Sequence, residues 1–149
     1  MVHKSKPAQT SLHLENQLCF ALYSASLAMT KVYKPLLQSI GLTYPQYLVM
    51  LVLWEGDGLT VSELGSLLLL NSGTLTPLLK RLEATGLVTR LRDTEDERRV
   101  RIKLTSAGTR LNSKAADIPA CVRDATGCSL AELLLLTQSI KKLRQRLTS

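Results

Sequence analysis

Thr60-Val61-Ser62-Glu63 and Leu70-Asn71-Ser72-Gly73-Thr74 place two helix starts on either side of a short apolar run, Leu67 to Leu70. Thr60 followed three residues later by Glu63 is a capping-box pattern, in which side chains pair with the free amides of a helix N-terminus. It predicts a short helix to about Leu69. Asn71-Ser72-Gly73 predicts a turn, and Thr74 to Ala84 the next helix, ended by Gly86. Pro77 fits that helix only in its first turn, where no N–H is needed. About four residues separate the two helices, an interval that suits a helix-turn-helix.

On the C-terminal side the period changes from helical to alternating. Leu87 to Leu91 and Val100 to Leu104 read as strands, and the charged segment Arg92 to Arg99 joins them as a hairpin. Thr105 is expected to cap one long helix to about Thr126, with Gly127 as its break. Ser129 and Glu132 open a last helix that ends in Lys141-Lys142-Leu143-Arg144-Gln145-Arg146. On the N-terminal side, the first eleven residues read as a loose tail. Leu18, Leu22, Ala25, Met29, Val32 and Leu36 recur at helical spacing within a helix expected over Leu12 to about Leu37. Pro35 lies late in it and Gly41 is a stop signal. Thr43-Tyr44-Pro45-Gln46 starts a helix through Trp54, Glu55 to Gly58 is a turn, and Leu59-Thr60-Val61 a very short strand.

The order predicts a mainly α protein with a small β-hairpin wing. It is a winged helix-turn-helix over about 41–105, flanked by dimerisation helices over about 12–40 and 106–149, all in one domain. Leu130, Leu133, Leu134, Leu135 and Leu136 exceed what one exposed stripe explains, so a second copy is expected to cover them.

Composition agrees. The 149 residues are 45% apolar and 21% charged, enough for a core and too apolar for disorder. A net charge of +7 suits a polyanionic partner. Three cysteines without C-x-x-C spacing argue against a disulfide scaffold or a structural zinc. His3 and His13 are too few for a metal or proton-relay site, and no P-loop, Gly-rich nucleotide loop or Ser-His-Asp set is present, so no cofactor or metal is expected. Met1 to Thr10 lacks a signal-peptide apolar stretch, and Leu48 to Trp54 is too short to span a bilayer. A cytoplasmic protein without membrane attachment is expected. All six aromatic residues lie within the first 54 positions, so the rest of the core must be aliphatic.

A recognition helix meets base edges with its N-terminal residues, here Ser72, Gly73, Thr74 and Thr76, with Pro77 behind them. Lys80 and Arg81 follow within reach of phosphates. The hairpin adds Arg90, Arg92, Arg98, Arg99, Arg101 and Lys103. An arginine held straight by a neighbouring carboxylate can probe the minor groove, and Asp96 with Arg98 can form that pair. The plainer reading is a solvated hairpin whose charges satisfy one another; its position after a helix-turn-helix favours DNA.

These residues also carry a family resemblance. Asp96-Glu97-Arg98-Arg99-Val100-Arg101-Ile102-Lys103-Leu104-Thr105 is similar to the wing signature D-x-R-x-x-x-x-x-L-T of the MarR family of winged-helix regulators. Leu70 to Leu82, Asn16-Gln17-Leu18-Cys19-Phe20-Ala21-Leu22-Tyr23 and Leu42-Thr43-Tyr44-Pro45-Gln46-Tyr47 resemble its organic hydroperoxide sensor subfamily, OhrR. The resemblance covers about residues 12–140. It implies a homodimeric repressor that releases a pseudo-palindromic operator in double-stranded DNA when a sensor cysteine is oxidised.

On that resemblance Cys19 is the sensor, and Tyr33 and Tyr44 hydrogen-bond its thiolate. A free cysteine on an apolar helix is more often a small buried hydrophobe, so the case rests on its neighbours. Tyr23 lies at i+4 on the same face. Phe20, Leu22 and Met50 are expected to line an apolar pocket favouring organic hydroperoxides. Tyr47 is read as core or as a further pocket residue. On one continuous helix Cys19 and Tyr33 are separated by 14 residues, about 21 Å at 1.5 Å rise per residue. A joint site therefore needs Tyr33 from an antiparallel partner chain. Only a thiolate attacks the peroxide efficiently; phenolic hydrogen bonds and the helix N-terminus are the local groups that favour it. The sulfenic acid formed can condense with a second thiol. Two-cysteine members carry that thiol near the position of Asp124. Here Cys121 precedes it by one turn and Cys128 follows by one turn, on the same face if the helix were continuous. Either can resolve, Cys128 being favoured by the pliable Gly127, or an external thiol can serve.

Two other readings compete. One is a regulator of this family controlled by a small phenolic or lipophilic ligand, with Cys19 structural. The other is a peroxide-reducing thiol enzyme, opposed by the wing, by the recognition helix and by the lack of a basic residue close to Cys19.

Overall fold

The computed structural model describes residues 10–149. The tail expected over residues 1–9, with His3, lies outside them. Thr10 and Ser11, expected in the tail, instead accept hydrogen bonds from the Asn16 and Gln17 side chains at 2.9 and 2.5 Å. A 3-10 turn, Leu14–Asn16, follows, and Gln17 is extended. The first helix thus starts at Leu18, later than expected.

Seven helices and three strands make up the described residues: α1 (Leu18–Gln38), α2 (Tyr44–Glu55), β1 (Leu59–Thr60), α3 (Val61–Leu68), α4 (Ser72–Ala84), β2 (Val88–Arg92), β3 (Val100–Leu104), α5 (Ser106–Ala115), α6 (Ile118–Thr126) and α7 (Leu130–Thr148). Of the three predicted capping boxes, those at Thr43 and Thr60 form. At Ser129 the hydroxyl accepts the Glu132 amide and donates to the Glu132 carboxylate in place of the reciprocal backbone bond. Asn71 and Thr105 cap α4 and α5 through their side-chain oxygens. The sheet is antiparallel in the order β1-β3-β2, with Leu59 opposite Ile102 and Arg90 opposite Ile102 on the other side.

Three expectations are corrected. Asn71 is the cap of α4, so Ser72 and Gly73 are its first residues. Pro77 then falls in its second turn, and Gly73 loses an intrahelical amide partner. The helix survives because Leu75, Leu79 and Leu82 are each at most 1% exposed and hold it to the core. Pro35 likewise lies inside α1 without ending it. The long helix expected from Thr105 to Thr126 is two helices. Pro119, in the first turn of α6, cannot donate an amide to the preceding turn, so α5 closes at Ala115 and α6 reopens at Ile118.

The core is aliphatic beyond Trp54, as the composition required. Val49, Met50, Leu53, Leu64, Leu75, Leu82, Val88 and Ile102 are each at most 1% exposed. Trp54 donates its indole N–H to the Gly108 carbonyl at 2.9 Å and ties α2 to α5. A side chain on Gly108 would collide with the Leu87 carbonyl, which also receives the Thr105 amide. The flanking helices contrast with this core. Only Leu37 of α1 is buried, and α7 buries none of its residues.

Candidate functional site

α3, α4 and the wing enclose a cleft of about 600 Å³. Ser72 and Thr76 of α4 line it, with Arg90 and Arg98 of the wing opposite. Four of the expected DNA-contacting residues therefore share one concave face. Gly73, Thr74, Pro77, Lys80 and Arg81 are exposed on α4. Arg99 of the wing lines the same cleft, as do Ser62 and Ser66, which sequence reasoning missed. The signal for Ser62 and Ser66 was their i,i+4 spacing, which puts two hydroxyls on one face of α3.

The wing is ordered by its own charges. Asp96 accepts from the Arg98 amide at 3.1 Å and from its Nε at 3.2 Å, yet the Arg98 side chain stays 91% exposed. These bonds, those of the Arg98 side chain first, hold the Asp96 carboxyl below its usual range. Asp93 is only 8% exposed. The Glu95 amide and the Arg101 guanidinium, in that order, lower its pKa in the same way. Arg101 also donates to the Gly58 carbonyl at 2.9 Å, so the wing is tied back to β1. Two expected DNA contacts are engaged internally. Arg92 donates to the Glu97 carbonyl at 3.1 Å, and Arg90 pairs with Glu83 at 3.2 Å.

Cys19 is the second residue of α1, and its thiol is free and exposed. Free amides there favour an anion. Phe20 and Tyr23 are exposed beside it. Met50, expected in the pocket, is wholly buried in the core and cannot line it. The reason is that the even hydrophobicity of α2 gave no indication of which side faces α1. Tyr33 and Tyr44 pack with ring centroids 4.9 Å apart, and Tyr47 lies 5.8 Å from Tyr33. Tyr47 is core at 2% exposure. Burial, then the neighbouring phenols Tyr44 and Tyr47, raise the Tyr33 pKa; burial and then Tyr44 raise that of Tyr47. Both hydroxyls thus remain protonated donors at neutral pH. α1 is continuous for 21 residues, so Cys19 stays about 21 Å along the axis from Tyr33 of its own chain.

Cys121 is exposed on α6, and Cys128 is half-buried and free. Their expected common helix face does not exist. α6 ends at Thr126, Gly127 is left-handed at φ +68°, and Cys128 lies beyond it with its Sγ 3.6 Å from the Thr126 carbonyl. Gly127 permits that turn as few other residues can.

The chain matches the transcriptional regulator SarA/Rot family over residues 31–115. It is 51% identical over 136 residues to the organic hydroperoxide resistance transcriptional regulator of Bacillus subtilis, covering 91% of this chain and 92% of that protein. This chain belongs to the MarR family of winged-helix transcriptional regulators. Its fold is also similar to reduced AbfR bound to DNA, with a TM-score of 0.79, 34% identity and coverage of 95% and 99% of the two chains. AbfR has been solved from Staphylococcus epidermidis.

Against the disulfide form of AbfR the TM-score falls to 0.62 at 37% identity and coverage of 95% and 94%. This chain's backbone is thus more similar to the DNA-bound forms of AbfR, reduced and overoxidized alike, than to the disulfide form. No helix among the described residues is long and apolar enough to cross a membrane, and no group of three His, Cys, Asp or Glu among them is placed to hold a metal ion.

Proposed function

We infer that this protein is a homodimeric repressor that binds operator DNA in the reduced state and releases it when organic hydroperoxide oxidises Cys19. The observation that carries the reading is the placement of Cys19 at the start of the unbroken helix α1 and of Tyr33, packed on Tyr44 of α2, towards its other end. An antiparallel second copy brings each thiol to the other chain's phenols. The exposed leucines of α1 and α7 supply the surface for that copy.

The chemistry follows from these groups. The Cys19 thiolate attacks the outer peroxide oxygen, the O–O bond breaks, and the departing alkoxide takes a proton to leave as an alcohol. Tyr33 or Tyr44 is the donor at hand, and solvent reprotonates it. The cysteine is left as a sulfenic acid. A second thiol displaces water from it and forms a disulfide; Cys121, Cys128 or a small-molecule thiol can serve. Each oxidation flips one switch, so the protein acts as a regulator in the cytoplasm and not as a peroxidase. A hundredfold loss of DNA affinity requires about 2.7 kcal/mol of coupling, within the usual allosteric range.

An apolar cavity of about 280 Å³ between α1 and α6, walled by Ala25, Met29, Val32 and Val122, favours a second reading. There a small lipophilic ligand triggers release and Cys19 is structural. A gel shift separates the two. Release by cumene hydroperoxide that requires Cys19 supports the redox switch. Release by a phenolic ligand alone, unaffected by Cys19→Ser, supports the second reading.

A further inference from the structure

Glu83 lies in the last turn of α4, where a negative charge opposes the helix dipole. Its carboxylate takes two hydrogen bonds from one wing residue. Oε1 accepts from Arg90 Nε at 3.2 Å, and Oε2 accepts from the Arg90 backbone amide at 3.3 Å. β2 is the outer strand of the sheet. The Arg90 amide points away from β3 toward Glu83 and would otherwise be an unpaired edge donor. Arg90 also lines the cleft, facing Ser72 and Thr76.

We propose that Glu83 is a specificity-determining positioning residue that fixes the wing against the recognition helix and holds the Arg90 guanidinium off the DNA backbone. The inference rests on the DNA-binding reading above and adds to it. An unrestrained arginine at this place would neutralise a phosphate on any sequence, because phosphates carry no base information. The carboxylate occupies Arg90 Nε, and its backbone bond prevents it from swinging away with the side chain. Sequence-independent attraction is restrained, while Ser72 and Thr76 line the cleft and the Arg98 side chain, though paired with Asp96, stays 91% exposed to meet the DNA. Glu83 is exposed, and exposed ion pairs of this kind contribute little to folding, so substitutions there leave the fold in place.

The test uses a duplex selected by the parent protein from a random pool, and a scrambled duplex of the same composition. Fluorescence anisotropy is read across a salt series for the parent, Glu83→Gln, Glu83→Ala and the double variant Glu83→Ala/Arg90→Ala. On the scrambled duplex both single variants are expected to bind about tenfold tighter. The slope of log affinity against log salt should steepen by about 1.8 per dimer, one phosphate for each protomer. The preference for the selected duplex should shrink at least fivefold. The double variant should return the scrambled affinity and slope to those of the parent. Unchanged or weaker scrambled binding in both single variants overturns the proposal. So does a double variant that keeps the gain, since the effect would then come from the lost carboxylate charge and not from Arg90. If the parent selects no sequence at all, it is the DNA-binding reading that fails.

Discussion

Arg98 extends into solvent while Asp96 grips its amide and its Nε, so the arginine is aimed before DNA arrives and loses little freedom on binding. Arg98→Ala should weaken operator binding by about 1–3 kcal/mol, whereas Lys80→Ala should weaken all sequences alike and lower the salt slope by about one. Titration of a labelled operator at two salt concentrations checks both. The pH dependence of the wing follows from its carboxylates. Asp93 and Asp96 have pKa values lowered in the folded protein, by the Glu95 amide and Arg101 at Asp93 and by Arg98 at Asp96. Their stabilisation is therefore fully present above the ordinary carboxylate pKa of about 3.9 and is lost as pH falls through the depressed folded values. Wing resonances should accordingly stay unchanged from pH 7 to about pH 4 and broaden only below it; Asp93→Asn should remove the Asp93 part of that transition. The Asp96–Arg98 pair was legible because both residues are local in sequence. The Glu83–Arg90 and Asp93–Arg101 pairs were not, since each depends on how the hairpin folds back onto another element.

Capping residues made the elements readable. Thr43, Thr60, Thr105 and Ser129 each start a helix where the sequence placed one, because an N-cap is a local hydrogen bond. The breaks were harder. Pro119 divides α5 from α6, whereas Pro35 and Pro77 sit inside helices. The same residue thus has opposite outcomes; around Pro77 the buried Leu75, Leu79 and Leu82 hold the helix together. The turn between α3 and α4 stores strain that periodicity does not show. Leu69 has φ +58° and is 64% exposed, a left-handed conformation that costs a branched side chain roughly 1–2 kcal/mol. Leu69→Gly should raise unfolding stability by about 0.5–1 kcal/mol, the relief less the entropy of glycine. Gly108→Ala should do the reverse. Its new methyl meets the Leu87 backbone, which cannot rotate away, and the expected loss is about 2–3 kcal/mol. Denaturant unfolding at fixed protein concentration reads both variants.

At the scale of the molecule, the surplus leucines of the last helix were the sequence's plainest sign of a partner, and α7 does leave Leu130, Leu134, Leu135, Leu136 and Ile140 exposed. The pairing of Cys19 with another chain's tyrosines was legible only as a distance argument, because nothing in a single sequence says which helix a helix meets. Replacing Leu134 and Leu135 with Glu should convert the dimer to monomer in sedimentation experiments. If Tyr33 of the partner completes the peroxide site, the same variant should also slow Cys19 oxidation, as should Tyr33→Phe. The most direct test of the whole account is operator release measured by anisotropy before and after stoichiometric cumene hydroperoxide, in the parent and in Cys19→Ser. Both reduced proteins should bind the operator equally, because Cys19 lies on α1 and does not line the cleft between α3, α4 and the wing. Hydroperoxide should weaken the parent about a hundredfold and leave Cys19→Ser unchanged. A Cys19→Ser protein that still lets go of its operator on oxidation would contradict the account.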